Sequence, residues 1–428
     1  MARSLLTLAA SVTSAVPGAS VSGVGSLTSG GAGRCDSAVV SLADGTSVIV
    51  RAPVDATAAR ELAAEALALR ALTPGVRELL GFRAPRLLGE AGLGDARALV
   101  CDMLPGFHID AAHIPPGEGA AISIGYALAS LHALPHSVVR AEGLPQRSPE
   151  EARDDVRTVI DRAGATGRLP VRLTVRWRDA VEADALWRFE STVTLGGAAA
   201  SSFLYQDTDM GPAVTGVLDW HGLSVGDPAV DLRWLASAPE ASDDIYAAYS
   251  AAAHRSPDAF VQTRARLYAE LEFAQWLVHG SDAHRPDVVD DATALLDALA
   301  DGVGADSLLD PGAATSGGVD DAIALLASVP EPAAASDVDT SMQTDAYDPE
   351  MISLFSASER EHSAGARSAA TGRPAPDEDV STAPIDISAW IDAKTHSSDA
   401  DGNGDDEEVE AERAARAAIH RWASSGSE

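Results

Sequence analysis

Lysine is almost missing from this chain of 428 residues: one stands at position 394, and arginine carries the rest of the basic charge. Any phosphate-gripping side chain in the fold is therefore an arginine. Basic charge is scarce altogether, with 31 Lys and Arg against 64 Asp and Glu, a formal net charge of -33. So acidic a chain lacks the positive face that nucleic acid and anionic membranes attract, and neither is an expected partner. Cysteine is limited to Cys35 and Cys101, which rules out a disulfide framework and a cysteine-based metal site. Two ordinary thiols fit a reducing, cytoplasmic setting. No apolar run reaches the length, about 18 residues, that a spanning helix needs.

Apolar residues still make up 46% of the chain, enough for a sizeable core and more than one domain. The N-terminal stretch MARSLLTLAASVTSAVPGA has the composition of a signal peptide. However, Thr7, Ser11 and Thr13 interrupt it, and Leu5, Leu8, Ala9 and Val12 share one helical face. An amphipathic first helix is the expectation. Beyond residue 302, small and acidic residues dominate and large apolars thin out. Such a segment buries too little surface to offset its ordering entropy, so 303–428 is expected to be a disordered acidic tail. Its apolar islands at 319–329 and 385–391 are candidate docking motifs for a protein partner, and 407–423 has the propensity of a charged helix. DADGNGDDEEVE, at 399–410, matches an EF-hand loop at five positions but has Asp406 where a hydrophobic residue belongs, so no Ca²⁺ site is expected.

Strand patterns come first in the folded part: 21–27, 38–42, 47–51, 85–90 and 98–103, separated by turn residues. One clear helix, 57–72, is inserted among them. The first 104 residues thus read as an antiparallel sheet with one helix. From 105 to 302 helices dominate, at 117–133, 148–163, 176–188, 228–237, 241–253, 257–279 and 286–301. A hairpin-like patch, 202–205 with 214–218, interrupts them. The expected fold class is α+β, a small β-rich lobe followed by a larger helical lobe and the tail.

The segment GVLDWHGLSVGDPAVDL (216–232) places Asp219 after an apolar run, Asp227 before Pro228, and Asp231 within a helical pattern. An acid at the end of a strand is well fixed for holding a metal; Asp227 before Pro228 has the form of a helix N-cap. VTGVLDWHGLSVGDPAVDL resembles the metal-binding segment of the aminoglycoside and macrolide phosphotransferases, small-molecule kinases with the protein-kinase fold. Other segments resemble that family in the same order: SVIVRAP the phosphate-gripping strand, ARELAAEALALRAL the helix with its paired acid, RAPRLLGE the approach to the hinge, ALVCDMLPG the hinge, and LASLHALP the helix before the catalytic half. The resemblance covers about residues 20–300. It implies a bilobal protein-kinase-like fold with a nucleotide in the interlobe cleft. Arg51, Glu65, Asp102 and Leu104 would then be nucleotide-binding, Asp219 a Mg²⁺ ligand, and Asp227 and Asp231 supports of the catalytic loop. Gly30, Gly31 and Gly33 could cover phosphates with backbone N–H groups. His132 reads as a packed core histidine.

One segment departs from the family pattern. Where the family has His-Gly-Asp-Leu-His-Pro-Gly-Asn, this chain reads LGGAAASS (195–202). The catalytic Asp position holds Gly197, and the metal-binding Asn position holds Ser202. Gly197 cannot orient a hydroxyl, and a serine hydroxyl is a poor Mg²⁺ ligand beside an amide carbonyl. Glu190, Asp207 and Asp209 are the nearest acids that could stand in. The expectation is a pseudokinase-type member that binds ATP or GTP, with Mg²⁺ if the nucleotide site survives, or a small metabolite. An active O-phosphotransferase with a non-standard base and an interaction protein working through its acidic tail are the alternatives.

Overall fold

The computed structural model describes residues 3–27, 34–94, 96–253, 258–304 and 306–309. The glycines at 30, 31 and 33, and all expectations for the tail beyond 309, lie outside the described residues. Helix α1 (Leu5–Ala15) opens the chain, capped by Ser4. Strands β1 (Val21–Ser26), β2 (Cys35–Leu42) and β3 (Ser47–Pro53) follow, then α2 (Ala56–Ala71), the short α3 (Pro74–Arg77), β4 (Leu87–Leu93) and β5 (Ala96–Asp102). The five strands form one antiparallel sheet in the order β1-β2-β3-β5-β4.

Alternation along β2 and β3 sends Ala38, Val40, Val48, Val50 and Ala52 to one face, where Leu8, Ala9 and Val12 of α1 meet them. Three of the four residues on the expected face pack in this way, whereas Leu5, in the first turn, is exposed. Gly89 permits the close approach of α1 to β4, because a Cβ there would lie 2.0 Å from the Ala15 carbonyl oxygen. The opposite face of the sheet receives α2 through Leu62, Ala66 and Leu99.

After the hinge come α4 (Ala120–His132), α5 (Ser137–Ala141), α6 (Pro149–Ala165) and α7 (Val171–Glu182). The expected helix at 176–188 starts earlier and stops at Glu182, since Leu186 and Trp187 turn inward to bury against α9 rather than continue the helix. Four short strands follow: β6 (Thr192–Thr194), β7 (Phe203–Thr208), β8 (Gly211–Val217) and β9 (Ser224–Gly226). β7 pairs with β8 as the expected hairpin, and β6 pairs with β9, a three-residue ladder too short to leave a sequence pattern. Residues Pro228–Ser237 form a 3-10 helix rather than an α-helix. α8 (Pro239–Ala252), α9 (Val261–Asp282) and α10 (Pro286–Val303) complete the helical lobe around two apolar cores. Among the described residues no helix is long and apolar enough to cross a membrane.

The two lobes are stitched beside the site. Arg83 N–H donates to the Thr215 carbonyl at 2.9 Å and its carbonyl accepts from Val217 N–H at 2.9 Å, a parallel bridge onto β8. At the hinge, Phe107 and Tyr205 exchange backbone bonds of 3.0 and 2.8 Å.

Candidate active site

Arg51 lies on β3 opposite Leu99 of β5. Its Nη1 donates to Glu65 Oε2 of α2 at 2.7 Å. Glu65 is buried, whereas the Arg51 side chain keeps 28% exposure, so one edge of the cation stays reachable from solvent. The Glu65 carboxylate, with a smaller contribution from Asp219, holds the guanidinium above its ordinary pKa against the opposing effect of burial. Cys35 and Cys101 flank this pair, and burial pushes both thiols up, so they are neutral and unreactive.

An apolar cluster lies beside the pair. Leu104 after the hinge and Leu204 of β7 are buried, and Leu27, Ile49, Met103 and Leu218 pack against them. These residues come from the first strand's end, the third strand, the hinge, the hairpin and the position before Asp219. Together they make an apolar patch between the sheet and the β7–β8 hairpin. Asp102, expected at this site, is spent elsewhere: its carboxylate accepts from the backbone N–H and Nε of Arg86 at 2.5 and 2.9 Å, bracing the entry to β4.

On the opposite side, the 195–202 loop is hung from Asp231. This fully buried carboxylate accepts from the N–H groups of Leu195, Gly197 and Ala198 at 2.6, 2.7 and 3.1 Å. His132 Nε2 lies 3.2 Å away, and His132 Nδ1 lies 2.8 Å from the Tyr249 hydroxyl. Since a carboxylate only accepts, Nε2 carries a proton and donates it to Asp231. Burial would raise the Asp231 pKa, but the His132 hydrogen bond and charge and the backbone N–H groups more than offset it and hold the group below its ordinary value. His132 is thus a buried core histidine, as its sequence context predicts.

Two glycines let this loop touch the next one. A Cβ on Gly196 would lie 2.1 Å from the Gly222 carbonyl oxygen, and one on Gly222 would lie 2.5 Å from that of Leu195. Gly197 itself has φ 121°, a conformation that L residues rarely adopt. The Arg233 guanidinium lies against this position, with Nη2 3.0 Å from a Cβ built there. Arg233 pairs through Nε with Glu272 of α9 at 2.7 Å. Burial raises the Glu272 pKa and Arg233 opposes that rise.

Asp219 follows β8 in the left-handed region, φ 60° and ψ 51°. Ser202 Oγ donates to Asp219 Oδ2 at 3.1 Å and accepts from Ala199 N–H at 3.2 Å. Leu218 N–H donates to the Ser202 carbonyl at 2.8 Å, which locks the two loops in register. Beside them, His108 Nδ1 lies 3.1 Å from the Phe203 carbonyl oxygen, and burial lowers its pKa against the pull of Asp219. The structure therefore brings together Arg51, Glu65, Leu104, Ser202, Asp219 and Asp231. It does not bring Asp227 to the loop: Asp227 caps Ala229 N–H at 2.9 Å and takes Arg264 Nε and Nη2 at 2.6 and 3.0 Å, with Tyr268 at 3.0 Å. It anchors α9 instead. Asp207 and Asp209 lie toward the tip of the β7–β8 hairpin; five residues of extended strand put Asp207 about 16 Å from Ser202. Glu190 lies at the far, exposed end of β6. None of the three acids substitutes for a side chain at residue 197.

The donor set does not fit a Mg²⁺ ion held by two protein ligands. Asp219 supplies one carboxylate, and the second position is a buried neutral hydroxyl already committed to it. Among the described residues no group of three or more His, Cys, Asp or Glu could hold a metal ion. Sequence reasoning missed His108 and Arg233; Arg233, two positions after Asp231, had a signal in being a base inside an otherwise acidic and apolar segment.

A β-rich lobe, an Arg–Glu pair, an apolar cluster at a hinge and a braced loop define a kinase-like fold. A model of the APH phosphotransferase enzyme family matches residues 31–269, more than half of the sequence, and the chain belongs to that family. Among solved structures, the macrolide 2'-phosphotransferase MphH from Brachybacterium faecium, an apoenzyme, is 23% identical with a TM-score of 0.54, covering 65% of this chain and 94% of that one. Macrolide 2'-phosphotransferase type I is 22% identical with a TM-score of 0.53, covering 68% and 96%. Wild-type aminoglycoside 2'-phosphotransferase-IIIa, in its GDP complex, is 16% identical with a TM-score of 0.57, covering 69% and 98%. At these identities the likeness is one of fold. The comparison with curated protein sequences gave no match.

Proposed function

We propose that this phosphotransferase-family chain is a pseudokinase-type, cytoplasmic protein that binds a purine nucleotide between its lobes and does not transfer the phosphoryl group. Residues 1–302 would form the binding unit, with its two lobes divided after Leu104. The base would lie against the apolar cluster of Leu27, Ile49, Leu104, Leu204 and Leu218, and Arg51, fixed by Glu65, would meet the phosphates.

The observation that carries the reading is at residue 197. Phosphoryl transfer depends on positioning the acceptor hydroxyl and neutralising charge. The position that should hold a carboxylate has no side chain, a backbone hostile to one, and a guanidinium in its place. The acids nearest in sequence, Glu190, Asp207 and Asp209, lie at an exposed strand end and toward a hairpin tip, and catalysis tolerates misplacement of only about an ångström. With one carboxylate and no second ligand, Mg²⁺ would be held by the nucleotide phosphates more than by the protein, and no step is assigned to it.

Incubation of the full chain with labelled ATP or GTP, Mg²⁺ and a panel of macrolides, aminoglycosides and sugars tests this. The reading predicts no labelled acceptor above the rate without protein. A labelled acceptor whose formation is lost in Asp219→Ala would restore the active-enzyme alternative.

A further inference from the structure

Arg233 sits on the 3-10 helix Pro228–Ser237, two residues past Asp231. Its guanidinium lies against Gly197: a Cβ built there would meet Nη2 at 3.0 Å, Cζ at 3.3 Å and Nη1 at 3.7 Å. The Nε end is tethered to Glu272 at 2.7 Å, and the side chain remains 21% exposed. Among the described residues, no hydrogen bond engages the two Nη atoms. The tether fixes the plane of the cation and leaves its forked edge toward the loop.

The groups around that edge decide what it attracts. Asp231, the nearest acid in sequence, is saturated by His132 and three backbone N–H groups. Residues 195–201 carry no charged or amide side chain, and Ser202 points its hydroxyl at Asp219. A carboxylate at position 197 would attract a hydroxyl proton and repel phosphate. A guanidinium does the reverse, because its fork matches two oxygens of one oxyanion. The site has therefore changed sign rather than only lost a group. The described residues include no lysine, so a basic side chain that meets phosphate among them is an arginine or a histidine.

We propose that Arg233 makes the loop end of the cleft an oxyanion position that takes a phosphate group. The inference rests on the nucleotide-binding reading above. The phosphate can belong to the nucleotide itself, as its terminal group, or to a second small molecule beside it. Arg51 would then meet phosphate from the sheet side and Arg233 from the helical side. In this role Arg233 is a binding residue, and Glu272 positions it.

Calorimetric titration of the full chain without divalent metal tests the assignment. Adenosine and guanosine are titrated first; the tighter nucleoside is then compared with its triphosphate, and inorganic phosphate is titrated onto protein saturated with that nucleoside. The variants are Arg233→Gln and the double variant Arg233→Gln/Glu272→Gln, which avoids leaving a half-buried carboxylate unpaired. Melting curves check that each is folded. The expected result is an unchanged nucleoside affinity in both variants and a loss of about tenfold in the gain from nucleoside to triphosphate. That outcome assigns the phosphate to the nucleotide. A loss confined to inorganic phosphate binding, with the triphosphate gain intact, also supports the oxyanion position and assigns it to a second molecule. If both are unchanged while the nucleoside still binds, the role of Arg233 is overturned and the nucleotide reading stands. If neither nucleoside binds the wild-type chain, both are overturned.

Discussion

Four donors converge on the buried Asp231 carboxylate, three from the backbone of the 195–202 loop and one from His132. The Asp231→Asn substitution turns one acceptor oxygen into an N–H₂ group that must face N–H donors, with a cost of about 2–3 kcal/mol in unfolding experiments. The pH dependence follows from the lowered pKa. A depressed acid contributes stability that is complete above its unfolded value and is lost as pH falls through the folded value. Wild-type stability should therefore decline below about pH 4, and the Asn variant should show a shallower acid limb over that window. Equal acid limbs would mean that Asp231 is not the titrating brace. Gly197→Asp is the complementary case. The left-handed backbone at 197 should cost about 1–3 kcal/mol, and the new carboxylate should pair with Arg233 rather than reach an acceptor. No phosphoryl transfer is expected from this variant, measured as ADP or GDP release with the acceptor panel.

At the scale of elements, α1 covers an otherwise exposed apolar sheet face. Leu8 and Val12 are fully buried against β2, β3 and β5. Leu8→Ala should destabilise the chain by about 2–5 kcal/mol, whereas Leu6→Ala, at an exposed position, should leave the melting temperature unchanged. Elements such as α1 and α2 were legible in the sequence because 3.6-residue periodicity survives over eleven or more residues. The three-residue β6–β9 ladder was not, and neither was the inward turn at Leu186 and Trp187, which tertiary burial against α9 imposes. The candidate site was half legible. Arg51, Glu65, Asp219 and Asp231 carry residue types whose chemistry is visible in one dimension. The N-cap role of Asp227 was legible too, from the Pro that follows it; its ion pair with Arg264 and the placement of Arg233 were not, because each depends on a partner supplied by α9, Arg264 in one case and Glu272 in the other.

For the molecule as a whole, a β-rich lobe and a helical lobe meet beside an apolar cluster, with Arg51 on the sheet side, Arg233 on the helical side, and a loop held by Asp231 in which position 197 is glycine. The hydrogen bonds of Asp231 and the close glycine contact at 196 and 222 hold the 195–202 loop against the segment 216–232 without any catalytic side chain in that loop being needed. Equilibrium titration of the full chain with ATP and GTP, followed by the shift of its melting temperature, tests the central claim most directly. A ligand that binds the native state raises the midpoint in proportion to the logarithm of its concentration above Kd. The account predicts such a rise for at least one nucleotide in the wild-type chain and a much weaker one in Arg51→Ala. A flat midpoint up to millimolar concentrations of both nucleotides would contradict it.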